Sequence, residues 1–137
     1  MTDVLARINR DQFGATMRWF QLRFVQNDGV ESVFSLTFPA ESLNPMGFVQ
    51  GGMIAAALDD ATSATMINGY GGSKAPLTTD LHMMFHRSLP KGPASVRTKI
   101  IRLGNRIATC EGRLFDPEGR LVATLLHSAQ PVTPPNA

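Results

Sequence analysis

The chain has 137 residues, of which 43% are hydrophobic and 18% are charged, a balance that allows a buried core and excludes a disordered tail. This length suits one domain, so we predict a single domain over 1–137. Thirteen basic and eleven acidic residues give a net charge of +2 without a Lys/Arg run, which argues against a nucleic-acid-binding protein.

Neither a membrane span nor a secretory leader is expected. The most apolar segment, 53–67, is interrupted by Asp59 and Asp60 before it reaches the length of a membrane helix. The N-terminal residues include acidic side chains and lack the apolar stretch of a signal peptide. Because the single cysteine, Cys110, has no intramolecular partner, we expect a reducing, cytoplasmic location and regard this thiol as a core residue.

The first part of the chain predicts a short helix and a hairpin. Apolar residues recur at helical spacing within 3–13, with Thr2 or Asp3 as the N-cap. The region 15–38 is rich in Phe, Val, Thr and Trp and predicts two strands, with the Asn-Asp-Gly turn at 27–29 between them.

One long helix and four strands follow. After Gly52 an Ala-rich stretch without breakers predicts a helix that ends at Asn68-Gly69. Four further strands, joined mostly by tight turns, are predicted at 76–87, 95–103, 106–116 and 120–132. This order implies an α+β fold in which a curled antiparallel sheet of about six strands wraps around the long helix.

The strand at 76–87 alternates between two faces. A strict two-residue period puts Thr79 on the apolar face and Thr78 on the opposite, polar face. His82 and His86 share the polar face, but they lie about 13 Å apart along a strand, which is too far for one ion. We therefore expect no metal site.

Two carboxylates stand in the middle of the Ala-rich helix, where an ionised group is costly unless it is hydrated, paired or used. Adjacent helix positions lie about 100° apart, so Asp59 and Asp60 cannot serve one site equally. Asp59 shares its face with small and polar residues such as Thr62 and Ser63, as a cleft lining would. Asp59 is the candidate catalytic residue, and Asp60 is expected to be partly exposed or paired with an arginine.

The helix begins at Gly51-Gly52. A helix start has free backbone N–H groups and the positive end of the dipole, and glycines let a ligand carbonyl approach closely. The pair can therefore polarise a carbonyl group. The alternative is that the glycines only turn the chain and allow tight packing.

The segment NPMGFVQGGMIAAALDDA resembles the signature of the hotdog-fold acyl-CoA thioesterases, in particular the PaaI-type branch of the 4-hydroxybenzoyl-CoA thioesterase superfamily. In that branch the loop reads Asn, two residues, Gly, two residues and His-Gly-Gly, and an acidic residue follows nine positions after the His. Those places are occupied here by Asn44, Gly47, Gly51, Gly52 and Asp59. Gln50 stands where the His is expected, and the resemblance covers about 15–132.

The resemblance implies hydrolysis of an acyl-CoA to a free acid and coenzyme A, without a further cofactor. Asp59 would act on water as a general base, or attack the thioester as a nucleophile. Thr78 would hold the carboxylate or the water through its hydroxyl group. Gly51 would bind the thioester carbonyl, and Asn44 would orient that carbonyl or a water.

Further residues are candidates for substrate binding. Three of them belong to the loop before the helix: Gln50, Gly52 and Gly47. An adaptable wall for an acyl chain is suggested by Met46, Met66, Met83 and Met84. The phosphates of coenzyme A could meet Arg87, Lys91, Arg102 or Arg106.

The spacing of the candidate residues predicts a site shared between two chains. Gly51 and Asp59 are eight residues apart, or about 12 Å along a helix, which one carbonyl and its attacking water cannot span. A two-fold dimer would bring the two residues together, and the resemblance likewise implies a homodimer, or a dimer of dimers.

Two other functions remain open. The first is a non-catalytic acyl-CoA-binding or regulatory hotdog domain, to which Gln50 lends weight because an amide cannot act as an acid or base. The second is a hydratase or dehydratase of the same fold, which usually needs a histidine near the α and β carbons of its substrate.

Overall fold

Three α-helices and six strands make up the described part of the chain, residues 4–11 and 14–135, in this computed structural model. The helices are α1 (Val4–Asp11), α2 (Ala15–Phe20) and α3 (Gly51–Gly69). The strands are β1 (Arg23–Asn27), β2 (Ser32–Phe38), β3 (Ala75–Phe85), β4 (Gly92–Leu103), β5 (Ala108–Phe115) and β6 (Leu121–Val132). No helix in these ranges is long and apolar enough to cross a membrane.

The six strands form one antiparallel sheet in the order β1-β2-β4-β5-β6-β3. Every second residue of β5 is buried, and β2 follows nearly the same pattern. The buried side chains of these strands pack with those of α3 in the core. The predicted α+β fold, with a curled sheet around one long helix, is therefore confirmed.

The helix α3 packs closely against the sheet at Gly112 of β5. A Cβ atom at Gly112 would lie 2.9 Å from Thr62 Cγ2 and 3.1 Å from Leu58 Cδ2. Real Cβ atoms do not approach other atoms so closely, so only glycine lets the helix rest on the strand there. This contact fixes the position of the polar face of α3 relative to β5 and β6.

The region 15–20 differs from the prediction. It was expected to be a strand, but it forms the helix α2, in which Met17 and Phe20 are buried three residues apart. Gln21 ends this helix in the left-handed conformation, with φ of 53°. Burial of one helical face here outweighs the β propensity of the aromatic residues. The predicted hairpin turn at 27–29 is confirmed.

The helix α1 covers one edge of the sheet. The predicted helix is confirmed over Val4–Asp11, while the proposed caps Thr2 and Asp3 lie outside the described residues. The Asn9 side chain accepts a hydrogen bond from Phe24 N at 2.7 Å and donates to Phe24 O at 2.8 Å. The Asn9 side-chain amide thus satisfies both backbone polar groups of Phe24 at this edge of β1.

The opposite edge of the sheet is β3, and most of its residues are exposed. Within the described chain, β3 pairs with β6 alone. The outer edge of β3 therefore presents unpaired backbone donors and acceptors, which in proteins are usually covered or paired with another chain.

Candidate active site

Asp59 lies near the middle of α3, with 38% of its side chain exposed. Ser63, one turn later, donates its hydroxyl to Asp59 Oδ1 at 3.2 Å. Small residues, Ala55 and Ala56, occupy the preceding turn. The carboxylate is therefore both accessible to water and held in one orientation, as a general base needs to be.

A buried imidazole lies behind Asp59. His127 of β6 has a side chain with 0% exposure, and its Nδ1 lies 3.7 Å from Asp59 Oδ1. The same nitrogen lies 2.8 Å from Thr62 Oγ1, and Nε2 lies 2.8 Å from Thr78 Oγ1. His127 thus connects the polar face of α3 to β3.

The surroundings of His127 favour its neutral form. Burial lowers the pKa of His127, and the negative charge of Asp59 offsets this effect only in part. A neutral imidazole has one N–H donor and one nitrogen acceptor. Near neutral pH, the contact between His127 and Asp59 is therefore a contact between a dipole and a carboxylate, without a full positive charge.

Thr78 faces α3 because β3 contains a bulge. Thr78 pairs with Ala129 and Asp80 pairs with Ser128, so the intervening Thr79 has no partner of its own. Paired residues of antiparallel strands point to the same face, and Ala129 is fully buried. The predicted placement of Thr78 on the opposite face is wrong, because strict alternation ignores the extra residue of a bulge.

A second group of polar atoms lies at the start of α3. Gln50 N donates to Ser42 O, and Met53 N donates back to Gln50 O. In the part of the chain that the structure describes, the N–H groups of Gly51 and Gly52 have no protein acceptor. These two donors are available to a carbonyl oxygen at the positive end of the helix dipole.

A cleft of about 470 Å³ opens beside Gly51. Its lining includes the apolar side chains of Met46, Phe48 and Phe85, together with Arg87. A Cβ atom at Gly51 would lie 3.2 Å from the Phe85 ring, so the glycine allows the helix start and the ring to lie close together. The cleft therefore offers an apolar surface next to two free N–H donors.

Asn44 and Gly47 shape the loop that leads to this cleft. Asn44 Oδ1 accepts hydrogen bonds from Met46 N at 3.0 Å and Phe48 N at 3.1 Å. Gly47 N donates to Asn44 O, and its φ of 86° favours glycine. Asn44 Oδ1 is used in these hydrogen bonds within the loop, so the side-chain nitrogen Nδ2 is the atom that could bind a substrate. The substrate roles of Asn44 and Gly47 stay predictions.

Gln50 is the N-cap residue of α3. Its side chain is exposed and makes no capping hydrogen bond. An amide at this position can donate or accept a hydrogen bond but cannot titrate. Its role in binding stays a prediction.

The candidate residues fall into two separate groups within one chain. Asp59 and Thr78 are joined through His127, whereas Asn44 and Gly51 line the cleft at the start of α3. Asp59 does not line that cleft, and eight residues of helix correspond to about 12 Å.

Asp60 is half-buried and points to a different neighbour. Thr16 of α2 donates its hydroxyl to Asp60 Oδ2 at 2.6 Å. Burial raises the pKa of Asp60 to about 6, the Thr16 hydrogen bond opposes this shift, and the charge of Asp59 adds to it. The partial exposure agrees with the prediction, while the partner found is a hydroxyl group where we expected solvent or an arginine.

Sequence reasoning missed His127. Its signal is weak but visible, because His127 falls in the buried series of β6 between Leu125 and Ala129. A histidine in such a series needs polar partners from other elements.

The interpretation of Cys110 as a core residue is confirmed, since it is fully buried and burial raises the pKa of its thiol to about 12.

The other proposed binding residues do not gather on one surface. Met66 is buried in the core, whereas Met46 lines the cleft at the start of α3, so the methionines do not form a single wall. Arg102 and Arg106 line a separate cleft at the β4–β5 turn, and Arg87 lies in the cleft beside Gly51.

Comparison with known families identifies the class of protein. A family model described as "Thioesterase superfamily" matches residues 46–123, more than half of the chain. The protein therefore belongs to the thioesterase superfamily. The matched span contains Gly51, Asp59 and Thr78 and excludes His127. Membership supports thioester hydrolysis as the class of activity.

Individual relatives agree with this assignment. A candidate esterase from Thermoplasma acidophilum is 24% identical over 102 residues, which cover 74% of this chain and 75% of the relative. A thioesterase structure from Haemophilus influenzae has a TM-score of 0.86 at 15% identity and covers 97% of this chain and 93% of its own.

A third relative, a candidate thioesterase from Ralstonia eutropha, is described as related to phenylacetic acid degradation. Its structure has a TM-score of 0.82 at 25% identity and covers 93% of this chain and 98% of its own. Together these neighbours confirm the hotdog fold.

Proposed function

We propose that this protein is a PaaI-type thioesterase that hydrolyses an acyl-CoA to a free acid and coenzyme A. The observation that carries the proposal is the Asp59 carboxylate, which is open to water, held by Ser63 and backed by His127. Family membership supports the thioester bond as the target. The coenzyme A part of the substrate rests on the resemblance of the loop and helix over 44–61.

The proposed chemistry balances without a cofactor. Asp59 accepts a proton from water while the water oxygen attacks the thioester carbon. Negative charge then develops on the carbonyl oxygen, where the N–H groups of Gly51 and Gly52 stabilise it, and such a donor contributes about 3 to 4 kcal/mol. When the intermediate collapses, the C–S bond breaks and protonated Asp59 returns its proton to the sulfur.

This chemistry requires two copies of the chain, because Gly51 and Asp59 are too far apart to serve one thioester. The edge strand β3 offers the surface for pairing. Its outer edge is unpaired within the described chain, and Leu77 and Met84 are 58% and 53% exposed. Exposed apolar edge strands are typical sites of association. At the opposite edge, by contrast, Asn9 covers β1.

The geometry of β3 supports a homodimer of this kind. One end of β3 carries Thr78, which belongs to the Asp59 group, and the other end carries Phe85, which lies beside Gly51. Antiparallel pairing of two β3 strands, centred on His82 and with Thr79 left out as the extra residue of the bulge, places Thr78 of one copy opposite Phe85 of the second copy. Each Asp59 group then meets the cleft of the other chain. Such dimers can associate further into a dimer of dimers.

The test is a thiol-release assay with short, long and aromatic acyl-CoAs. We expect release of coenzyme A from at least one class, and we expect Asp59→Asn to abolish most of it.

The second candidate function is a non-catalytic acyl-CoA-binding domain, favoured by the non-titratable Gln50. Tight binding of all three classes without thiol release would support that function and contradict ours. The buried free thiol of Cys110 supports a cytoplasmic location.

A further inference from the structure

The hydrogen bonds around Thr62 determine which nitrogen of His127 carries the proton. A hydroxyl group has one proton, and the Thr62 hydroxyl lies 2.7 Å from Leu58 O, the carbonyl four residues earlier in α3. Threonine in a helix commonly donates to this carbonyl. With its proton used there, Thr62 Oγ1 can only accept a hydrogen bond from His127 Nδ1, 2.8 Å away.

The charge of Asp59 favours the same tautomer. Asp59 Oδ1 lies 3.7 Å from His127 Nδ1. A lone pair on that nitrogen would face the carboxylate and repel it, whereas an N–H group would attract it. Both neighbours of Nδ1 therefore favour a proton on this nitrogen, and Nε2 is left as an acceptor.

This tautomer fixes the role of the Thr78 hydroxyl. Thr78 Oγ1 lies 2.8 Å from Nε2, and an unprotonated nitrogen can only accept, so Thr78 must donate its single proton to His127. Thr78 is exposed, and the remaining lone pairs of its oxygen can accept hydrogen bonds from a group at the surface. Thr78 is therefore an acceptor towards the reaction site and cannot donate to Asp59.

We propose that His127 is a positioning residue that holds Thr78 as a hydrogen-bond acceptor for the attacking water. The inference rests on the proposed function, in which Asp59 removes one hydrogen of that water. Thr78 accepts the second hydrogen, so the lone pair of the water oxygen is directed away from both acceptors and towards the thioester carbon. Orientation of this kind contributes to rate beyond simple binding.

The tautomer can be measured on the intact protein, independently of activity. In protein labelled with ¹⁵N-histidine, long-range ¹H–¹⁵N correlation spectra at neutral pH distinguish a protonated ring nitrogen from an unprotonated one. The signals of His127 are identified by their loss in His127→Gln. We expect a proton on Nδ1 and none on Nε2. The opposite tautomer, or a doubly protonated ring, would overturn the inference.

Two matched substitutions test the effect on catalysis. In His127→Gln the side-chain amide reaches the position of Nε2 and can offer an oxygen to the Thr78 hydroxyl. In His127→Asn the amide reaches only the position of Nδ1, so the contact with Thr62 is kept and that with Thr78 is lost. We expect the Asn variant to lose about 10- to 100-fold in kcat with little change in KM, and the Gln variant to lose much less. Equal kcat values in two folded variants would contradict a positioning role.

Failure of this inference differs from failure of the proposed function. If Asp59→Asn keeps full activity, Asp59 is not the base and the proposed function fails. If Asp59→Asn is inactive while both His127 variants match the wild type, only the role of His127 fails. An acyl adduct on Thr78, detected by mass spectrometry after rapid quenching, would make Thr78 a nucleophile and would also overturn the inference.

Discussion

His127 Nδ1 lies 3.7 Å from Asp59 Oδ1, so a fully buried ring on β6 supports a half-exposed carboxylate on α3. Because burial lowers the pKa of His127, the ring supports Asp59 as a neutral dipole near neutral pH. The two sides of the carboxylate therefore differ, with water on one side and a fixed polar wall on the other. This asymmetry leads to different expectations for the two adjacent aspartates.

Asp59→Asn should lower kcat by about 10²- to 10⁴-fold, because the amide cannot accept a proton from water. Folding should be retained, since Asn keeps the shape of the side chain and can still bond Ser63. Steady-state thiol release, with circular dichroism as the folding check, measures the effect. Asp60→Asn is the matched control and should change kcat little. Equal losses in both variants would show that the wrong carboxylate has been chosen.

Mixed dimers should recover activity from two inactive variants. If Asp59→Asn and Asn44→Ala are unfolded together and refolded in equal amounts, about half of the dimers contain one chain of each. In each mixed dimer one site carries both defects and the other carries neither, so roughly a quarter of the wild-type activity should return. Native mass spectrometry confirms the pairing. Mixed dimers without activity would place both residues in a site within one chain.

Gln50→His should leave activity and stability nearly unchanged. The Gln50 side chain is exposed and makes no capping bond, and surface substitutions of this kind change the free energy of unfolding by about 0.5 kcal/mol or less. Thiol release and thermal unfolding measure the two effects. A folded but inactive variant would show that the amide itself contacts the substrate.

Asp60 should make stability depend on pH. Its pKa is about 6 in the folded protein against an ordinary 3.8, so the folded state binds the proton more tightly than the unfolded state. The stabilising contribution is complete below pH 3.8 and is lost as pH rises through 6.

The measurement compares the wild type with Asp60→Asn by thermal unfolding from pH 4 to pH 8. Relative to the variant, the wild type should lose about 1 to 2 kcal/mol over this range, after allowance for screening by solvent at a half-buried group. Parallel curves for the two proteins would show that Asp60 has the same affinity for protons in both states.

Gly112→Ala should destabilise the protein by about 1 to 3 kcal/mol, because the new methyl group would overlap Thr62 Cγ2. Since Thr62 bonds His127, kcat should fall as well. Gly14→Ala is the control, as a Cβ atom there would meet nothing within 4 Å. Urea unfolding of the two variants gives the comparison. An equally stable Gly112→Ala protein would mean that α3 can move away from β5 without cost.

The sequence predicts the parts of the fold that depend on local pattern. The Ala-rich segment without breakers predicts α3, and turn residues separate the four strands that follow it. The strand predicted at 15–20 is wrong because Met17 and Phe20 are buried by distant parts of the chain, which local propensity does not record.

Part of the candidate site could likewise be predicted from the sequence, and part of it depends on contacts between distant elements. Asp59 could be identified from the sequence because an ionised carboxylate in an Ala-rich helix is costly unless it is hydrated, paired or used. The glycines before it indicate where the helix begins. The hydrogen bonds of His127 to Thr62 and Thr78 join three elements. They depend on a bulge and on strand register, which alternation alone cannot give.

The bulge in β3 places two threonines side by side, and only one of them, Thr78, has its hydroxyl group within hydrogen-bond distance of His127. In a strand without the bulge, Thr79 would pair with Ala129 and face His127 in place of Thr78. A shift of the β3 register by one residue at this point would therefore replace the Thr78 hydroxyl group with that of Thr79. The side chains that precede Thr78 would then point to the opposite face of the sheet. Thr79 is therefore the residue that could return a hydroxyl group to this position if Thr78 were replaced, and a variant meant to remove the hydroxyl group should replace both residues.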